Sequence, residues 1–319
     1  MLAQLLNQFG CQKRPFFFII DFEIQRFEII PFDELKEIYF EIDGFSPFKP
    51  PISFQTAFQL NIKKAISFED YRRAFSQVQT EIYNGNSYLL NLTFPTEITL
   101  NADLLDIYTQ SRAPFKVFFR NQFVCFSPER FIKIENNRIK TYPMKGTIDA
   151  SLENAEQLLL KDQKEFAEHT MVVDLLRNDL SMVSKNVKVT RFRFLDRINA
   201  GSKELLQMSS EIIGNLENNW HCKLGDILLK LLPAGSISGT PKIKTLELIR
   251  KVEHCPRGFF TGIAGYFDGN VLDSTVMIRF IEQQNGRFFY KSGGGITIDS
   301  NIENEYKELL QKVYLPCNY

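Results

Sequence analysis

Residues 259–295, FFTGIAGYFDGNVLDSTVMIRFIEQQNGRFFYKSGGG, decide the fold. Aromatic and β-branched residues fill the runs 259–267, 271–283 and 287–291, and Asp268-Gly269-Asn270 and Asn285-Gly286 between them are hairpin turns. Three strands joined by tight turns call for an antiparallel sheet. Alternation along the middle run puts Thr275, Met277 and Arg279 on one face and Val276, Ile278 and Phe280 on the other. An arginine among such apolar neighbours needs an anionic partner. The third run ends in Gly293-Gly294-Gly295, where the missing side chains let a ligand reach backbone N–H groups.

Upstream, helices and strands mix. Strand-like runs at 16–22 and 27–30 precede a short helix near 32–39 and a proline-rich bend at 47–51. Ser67 caps a helix with Tyr71, Ala74, Phe75, Val78 and Ile82 on its core face, stopped by Asn84-Gly85. A strand over 87–94, a helix over 102–111 and a hairpin over 115–126 turning at Arg120-Asn121 follow. Next come Glu129 at a strand end and a strand from 131 with a turn at Asn136-Asn137. Pro143-Met144-Lys145-Gly146-Thr147 then forms a strand-to-helix corner, with Thr147 or Asp149 as cap. One helical pattern runs from 152 to about 176 and on through Asp174, Arg177 and Asp179, which form a local charge network. A strand at 187–193, an ambiguous stretch at 204–213 and a helix over 223–232 lead to Pro233–Lys242. Thr240 and Pro241 there mark a helix N-terminus that attracts a carboxylate; the spacing is not that of a nucleotide P-loop. We divide the chain into a strand-rich segment, 1–64, packed on a core of 65–319, together one structural unit.

Composition excludes several classes. Thirty-eight basic and 38 acidic residues balance, leaving no electrostatic footprint for nucleic acid or an anionic membrane. No apolar run is long enough to span a bilayer and no leader pattern precedes the first strand, so the expected location is the cytoplasm. The five cysteines are scattered without a CxxC pair and read as free thiols; the three histidines have no zinc-ligand spacing.

The chemical clue is a repeated carboxylate pair. Glu165 and Glu168 stand i and i+3 on one helix, and Glu305 and Glu308 repeat the spacing on another over 302–313. One such pair is commonly a solvated helix face. Two pairs on helices that follow lysine and glycine corners suit Mg²⁺, which takes one or two protein carboxylates plus waters and substrate oxygens. Arg279, the glycine run and the helix N-terminus would hold substrate carboxylates. The composition-level reading is an Mg²⁺ enzyme acting on a small carboxylic acid.

The runs SPERF at 127–131, PMKGT at 143–147, EHTMVVDLLRNDL at 168–180, PAGSISGTPK at 233–242, CPRGFFTGIAGYF at 255–267 and GGGITIDSNIENEYKE at 293–308 resemble the chorismate-utilising enzymes over about 65–316. That family includes anthranilate synthase large components, aminodeoxychorismate synthases, and isochorismate and salicylate synthases. The resemblance implies an α/β (α+β) sandwich of two large antiparallel sheets with outer helices and the site in the cleft between them. It implies that Glu168 and Glu308 ligate Mg²⁺, with Glu165 and Glu305 assisting through water. By the same resemblance Arg279, Gly294, Gly295, the Ser236, Ser238, Gly239, Thr240 turn with Lys242, and Phe260 would bind chorismate. Glu129 matches the general acid that protonates the departing 4-hydroxyl, a role that burial would favour by raising its pKa.

Lys145 selects among members. Its position is typically alanine in anthranilate synthases and lysine in aminodeoxychorismate synthases, where the amine attacks ring C2. Water-adding members carry a lysine where Leu89 stands here. The implied product is therefore 4-amino-4-deoxychorismate, on the route to 4-aminobenzoate and folate, with ammonia from a separate class I glutaminase subunit. Anthranilate synthesis, or carboxylate binding without catalysis, is the alternative. Three departures from the family pattern stand out: Gln207 replaces a histidine, Phe260 replaces a tyrosine, and the asparagine-proline-serine-proline pocket of tryptophan-regulated members is missing.

Overall fold

A computed structural model describes residues 1–51, 58–200 and 203–316. Among these, two antiparallel sheets carry the fold. The first has nine strands, in the order Met144–Asp149, Lys203–Asn215, Arg138–Thr141, Arg130–Glu135, Leu272–Val276, Ile263–Phe267, Phe16–Ile20, Phe27–Pro31, with Lys185–Ala200 also beside Lys203–Asn215. The second has eight, in the order Gly239–Thr240, Leu89–Leu100, Arg287–Ile296, Phe280–Gln284, Phe123–Ser127, Phe115–Phe119, Ile38–Ile42, with Leu60–Lys64 also on Leu89–Leu100.

Phenylalanine fills the space between the sheets. Phe17, Ile19 and Ala264 of the first sheet meet Phe40, Phe119, Phe123 and Phe280 of the second in one buried cluster. Phe17 stacks on Phe40 at 4.9 Å, and Phe123 on Phe280 at 4.6 Å. Thirty phenylalanines in one chain suit such a core, because flat rings interdigitate on pleated surfaces.

The decisive stretch folds differently from its alternation in one respect. The run 271–283 is two strands, Leu272–Val276 in the first sheet and Phe280–Gln284 in the second. The chain crosses between sheets at Met277–Arg279, with Arg279 in the left-handed region at φ 54°. Pro128 and Glu129 form a second crossing, from Phe123–Ser127 to Arg130–Glu135. The crossings are bonded together: Val276 N–H donates to Glu129 O and Phe126 N–H to Arg279 O. The glycine run also differs, since Gly293–Gly295 lies inside the strand Arg287–Ile296, opposite Thr93, Leu92 and Asn91.

Several local expectations are corrected by pairing that only distant residues provide. The PMKGT stretch is no strand-to-helix corner, because Met144–Asp149 is a strand on Lys203–Asn215. Met144 faces Ser209 and Thr147 faces Gln207, so one extra residue bulges out at Lys145-Gly146, with Gly146 at φ 75°. Bulges of this kind re-aim side chains beside active sites. The helical pattern from 152 breaks into Ala155–Lys161 and Gln163–Ser181 at Asp162, whose carboxylate caps the second helix by accepting from Glu165 N–H. The short helix near 32–39 shrinks to one turn, Phe32–Glu34, before the strand Ile38–Ile42. Leu2–Cys11 is an additional helix, and the ambiguous 204–213 is strand. The free-thiol reading fails for two residues: Cys11 and Cys222 form a disulfide that ties this first helix to Trp220–Lys223. Cys125 and Cys255 are free, and Cys317 lies outside the described residues. No helix among the described residues is long and apolar enough to cross a membrane.

Candidate active site

Glu129 hangs from the first crossing. Its backbone is fixed by Ser127 Oγ, which accepts its N–H at 3.0 Å, and by Thr275 Oγ1, which donates to its carbonyl at 2.7 Å. Its carboxylate accepts a short hydrogen bond from Ser236 Oγ. Burial pushes its pKa above the usual carboxylate range, and the Ser236 hydroxyl and Lys145 ammonium only partly offset that.

Glu129, Lys145, Ser236, Phe260, Arg279 and Gly295 line one cavity of about 270 Å³. The Lys145 bulge brings its ammonium into that wall, donating to Glu168 Oε2 at 3.1 Å. A Cβ built on Gly295 would stand 3.4 Å from Lys145 Nζ and 3.0 Å from Leu89 Cδ1. Leu89, at the water-activating position of other members, is thus an apolar neighbour of the lysine's end. Arg279 lies with its guanidinium 5.1 Å from the Tyr314 ring centroid and, among the described residues, pairs with no carboxylate within 4 Å. Gln207 also lines the cavity, opposite Thr147.

An adjoining cavity of about 660 Å³ gathers Glu165, Glu168, Glu305 and Glu308. Lys145, Arg279, Gly295 and Lys312 belong to both walls. Burial, then the Glu168 charge, raises the pKa of Glu165. Burial likewise raises that of Glu305, although Ser300 Oγ donates to it at 2.9 Å. The Glu308 side chain is half exposed; its partial desolvation is outweighed by the Lys312 ammonium at 2.6 Å, which pulls it below the usual carboxylate range. Above Gly294, a Cβ would meet Glu305 Oε2 at 3.2 Å and Glu308 Oε1 at 3.6 Å.

Four carboxylates around one open polar cavity, with Glu165 and Glu305 held above the usual range by burial and by their carboxylate neighbours, fit a hard divalent cation. Among the described residues no three acidic, histidine or cysteine side chains converge tightly enough to enclose an ion unaided.

Some expected ligands lie elsewhere. Ser238 is fully buried and donates to Ala234 O at 2.9 Å; Gly239 and Thr240 pair with Leu90 and Leu89 as a two-residue strand. The helix N-terminus at Pro241 therefore packs on a strand and lines neither cavity. Lys242 binds Asp179 at 3.2 Å and Leu231 O at 3.0 Å, so Asp179 leaves the expected Asp174–Arg177 network, which pairs at 2.7 Å without it. Of the expected ligands in that turn, Ser236 lines the cavity, beside Ile237, and donates to Glu129. Lys312 escaped the sequence reading, although its i+4 spacing from Glu308 was a signal.

The family described as chorismate binding enzyme matches residues 32–317. An uncharacterised PabA-like protein of Haemophilus influenzae is 51% identical over 317 residues, covering 97% of this chain and 94% of that one. Aminodeoxychorismate synthase component 1 of Salmonella typhimurium is 32% identical over 284 residues, 84% of this chain and 60% of its own length. The crystal structure of anthranilate synthase component I from Streptococcus pneumoniae superposes with a TM-score of 0.69 at 26% identity, over 81% of this chain and 59% of that one.

Proposed function

We propose, from the premise that this chain belongs to the chorismate-binding enzymes, that it converts chorismate and ammonia to 4-amino-4-deoxychorismate and water. The observation that carries the proposal is Lys145 Nζ, bulged into the wall of the cavity that Glu129 also lines. An anthranilate-forming enzyme has no use for a nucleophile there.

In this reading Arg279 and the Gly295 backbone hold carboxylate groups of chorismate. The Lys145 amine forms a bond to ring C2 while the C4–oxygen bond breaks, and Glu129 gives its proton to the departing hydroxyl, which leaves as water. Ammonia then bonds to C4 and the lysine nitrogen leaves C2. Glu168 and Glu308, with Glu165 and Glu305 through water, would hold Mg²⁺, which when bound supplies positive charge to the ring carboxylate. Leu89 offers no base to activate water, which favours ammonia as the incoming group.

Ammonia is supplied in this reading by a separate class I glutaminase subunit, with free ammonium as substitute. The thiols support an external source. Cys125 is fully buried, which pushes its pKa up to about 12, while Cys255 stands at the surface with its pKa raised by partial desolvation and the Glu253 charge. In this reading the enzyme works in the cytoplasm.

The test is incubation with chorismate, Mg²⁺ and ammonium, followed by mass identification of products. Aminodeoxychorismate is expected. Anthranilate with pyruvate would overturn the role of Lys145, and unchanged chorismate bound to the protein would make the chain a carboxylate-binding protein.

A further inference from the structure

Behind the cavity lies an ion pair that touches no predicted ligand. Glu253 and Arg257 have side chains only 2% exposed, with Arg257 Nη2 2.7 Å and Nε 2.9 Å from the two carboxylate oxygens. Arg257 also donates to Ile237 O at 3.0 Å and to Asn91 O at 2.6 Å. Glu253 accepts from Thr93 N–H at 2.9 Å and Thr93 Oγ1 at 3.0 Å. A buried pair so fully bonded adds little net stability over apolar residues of equal volume, but it holds its partners in one geometry.

The partners converge on one residue. Ile237 follows Ser236 in the chain, and the Asn91 amide donates to Ser236 O at 3.0 Å. Arg257 therefore holds two successive carbonyls, that of Ile237 directly and that of Ser236 through Asn91. Ser236 Oγ in turn donates to Glu129.

We propose that the Glu253–Arg257 pair is a positioning device for the acid Glu129, transmitted by Asn91 and Ile237 to the Ser236 hydroxyl. The inference rests on the reading of Glu129 as general acid for its catalytic meaning, but its geometry stands without turnover. The Ser236 bond favours the ionised carboxylate, so loosening Ser236 leaves Glu129 protonated to higher pH. The other charged groups around that cavity are Lys145, Arg279, Lys291, Glu308 and Lys312, and of these Lys145 acts on Glu129. None of them is altered in the test.

The readout is the infrared carbonyl band of protonated Glu129, assigned as the band lost in Glu129→Gln and titrated with pH. Ser236→Ala is expected to raise its midpoint by about one to two pH units, the size of a hydrogen bond to a charged group. Arg257→Lys keeps the charge and loses the fork. It is expected to move the midpoint the same way by about half to one unit. The double variant should move it no further than Ser236→Ala alone, since both act through one hydroxyl. If Arg257→Lys does not fold, Asn91→Ala severs the last link and carries the same expectation. A folded Arg257→Lys or Asn91→Ala with the wild-type midpoint, or a double variant whose shift is the sum of the two, overturns the inference. The band needs no turnover, so coupled shifts in a protein that leaves chorismate unchanged would support the inference and refute the function.

Discussion

Three consecutive glycines make a test of which wall serves which chemistry. Gly293, Gly294 and Gly295 sit in one strand, and alanine at each meets a different neighbour. At 295 the new methyl touches only Leu89 Cδ1 at 3.0 Å and Lys145 Nζ at 3.4 Å, both ends of flexible side chains. The fold should lose under about 1 kcal/mol, roughly 2–4 °C in thermal midpoint. Displacing the nucleophile by a few tenths of an ångström, in a cavity of about 270 Å³, should lower kcat/KM about 10- to 100-fold. At 294 the methyl points at Glu305 Oε2 at 3.2 Å and Glu308 Oε1 at 3.6 Å, so Gly294→Ala should raise the Mg²⁺ concentration for half-activity about tenfold, 1.4 kcal/mol. At 293 it strikes Leu92 O at 2.3 Å, backbone that is itself paired, and stability should fall by about 2–3 kcal/mol. Thermal unfolding, Mg²⁺ titration and single-turnover mass analysis separate the three. A Gly295→Ala enzyme that needs more Mg²⁺ but forms adduct at the wild-type rate, with Gly294→Ala the reverse, would refute this division of the site.

Lys145→Ala should abolish any covalent chorismate adduct and lower turnover by at least about 10³-fold; an adduct that persists in intact-protein mass spectra would move the nucleophile elsewhere. Turnover should fall as pH rises through the elevated Glu129 pKa, because the acid must carry its proton. In the window above the ordinary carboxyl value the folded state also keeps a proton that the unfolded chain has lost, so stability should decline with pH there and the decline should vanish in Glu129→Gln. Lys242→Ala strands the buried Asp179 carboxylate and should cost about 3 kcal/mol in urea unfolding, while kcat per folded molecule stays within about twofold; a large loss of kcat would return Lys242 to the substrate.

Local sequence was a good guide wherever one turn or one helix face decides the outcome. Arg120-Asn121 and Asn136-Asn137 adopt the positive φ values that tight hairpins need, and Ser67 caps its helix by accepting from Asp70 N–H at 3.0 Å. It misled where a strand's partner lies far along the chain. The 271–283 run reads as one strand because its apolar alternation is unbroken, yet its halves find different sheets. The PMKGT stretch reads as a corner because glycine and proline flank it, yet pairing with residues 207–209 makes it a bulged strand.

The sequence by itself determined the chemical inventory: two carboxylate pairs at helical spacing, a glycine run, Lys145, Glu129, and motifs whose order marks the family. Those signals are local in type and spacing, so they survive without coordinates. Tertiary structure decided what the inventory does. It put Glu129 and Arg279 at two crossings between the sheets that bond to each other, and aimed Lys145 by a bulge. It withdrew Ser238 and Lys242 into structural bonds and revealed the Glu253–Arg257 pair behind Ser236. The Ser238–Ala234 and Glu253–Arg257 contacts are only four positions apart, but the crossings, the bulge, the Lys242–Asp179 pair and the links from Arg257 to Asn91 join residues dozens to more than a hundred positions apart, and periodicity over a few turns carries no record of which distant strand will supply the partner.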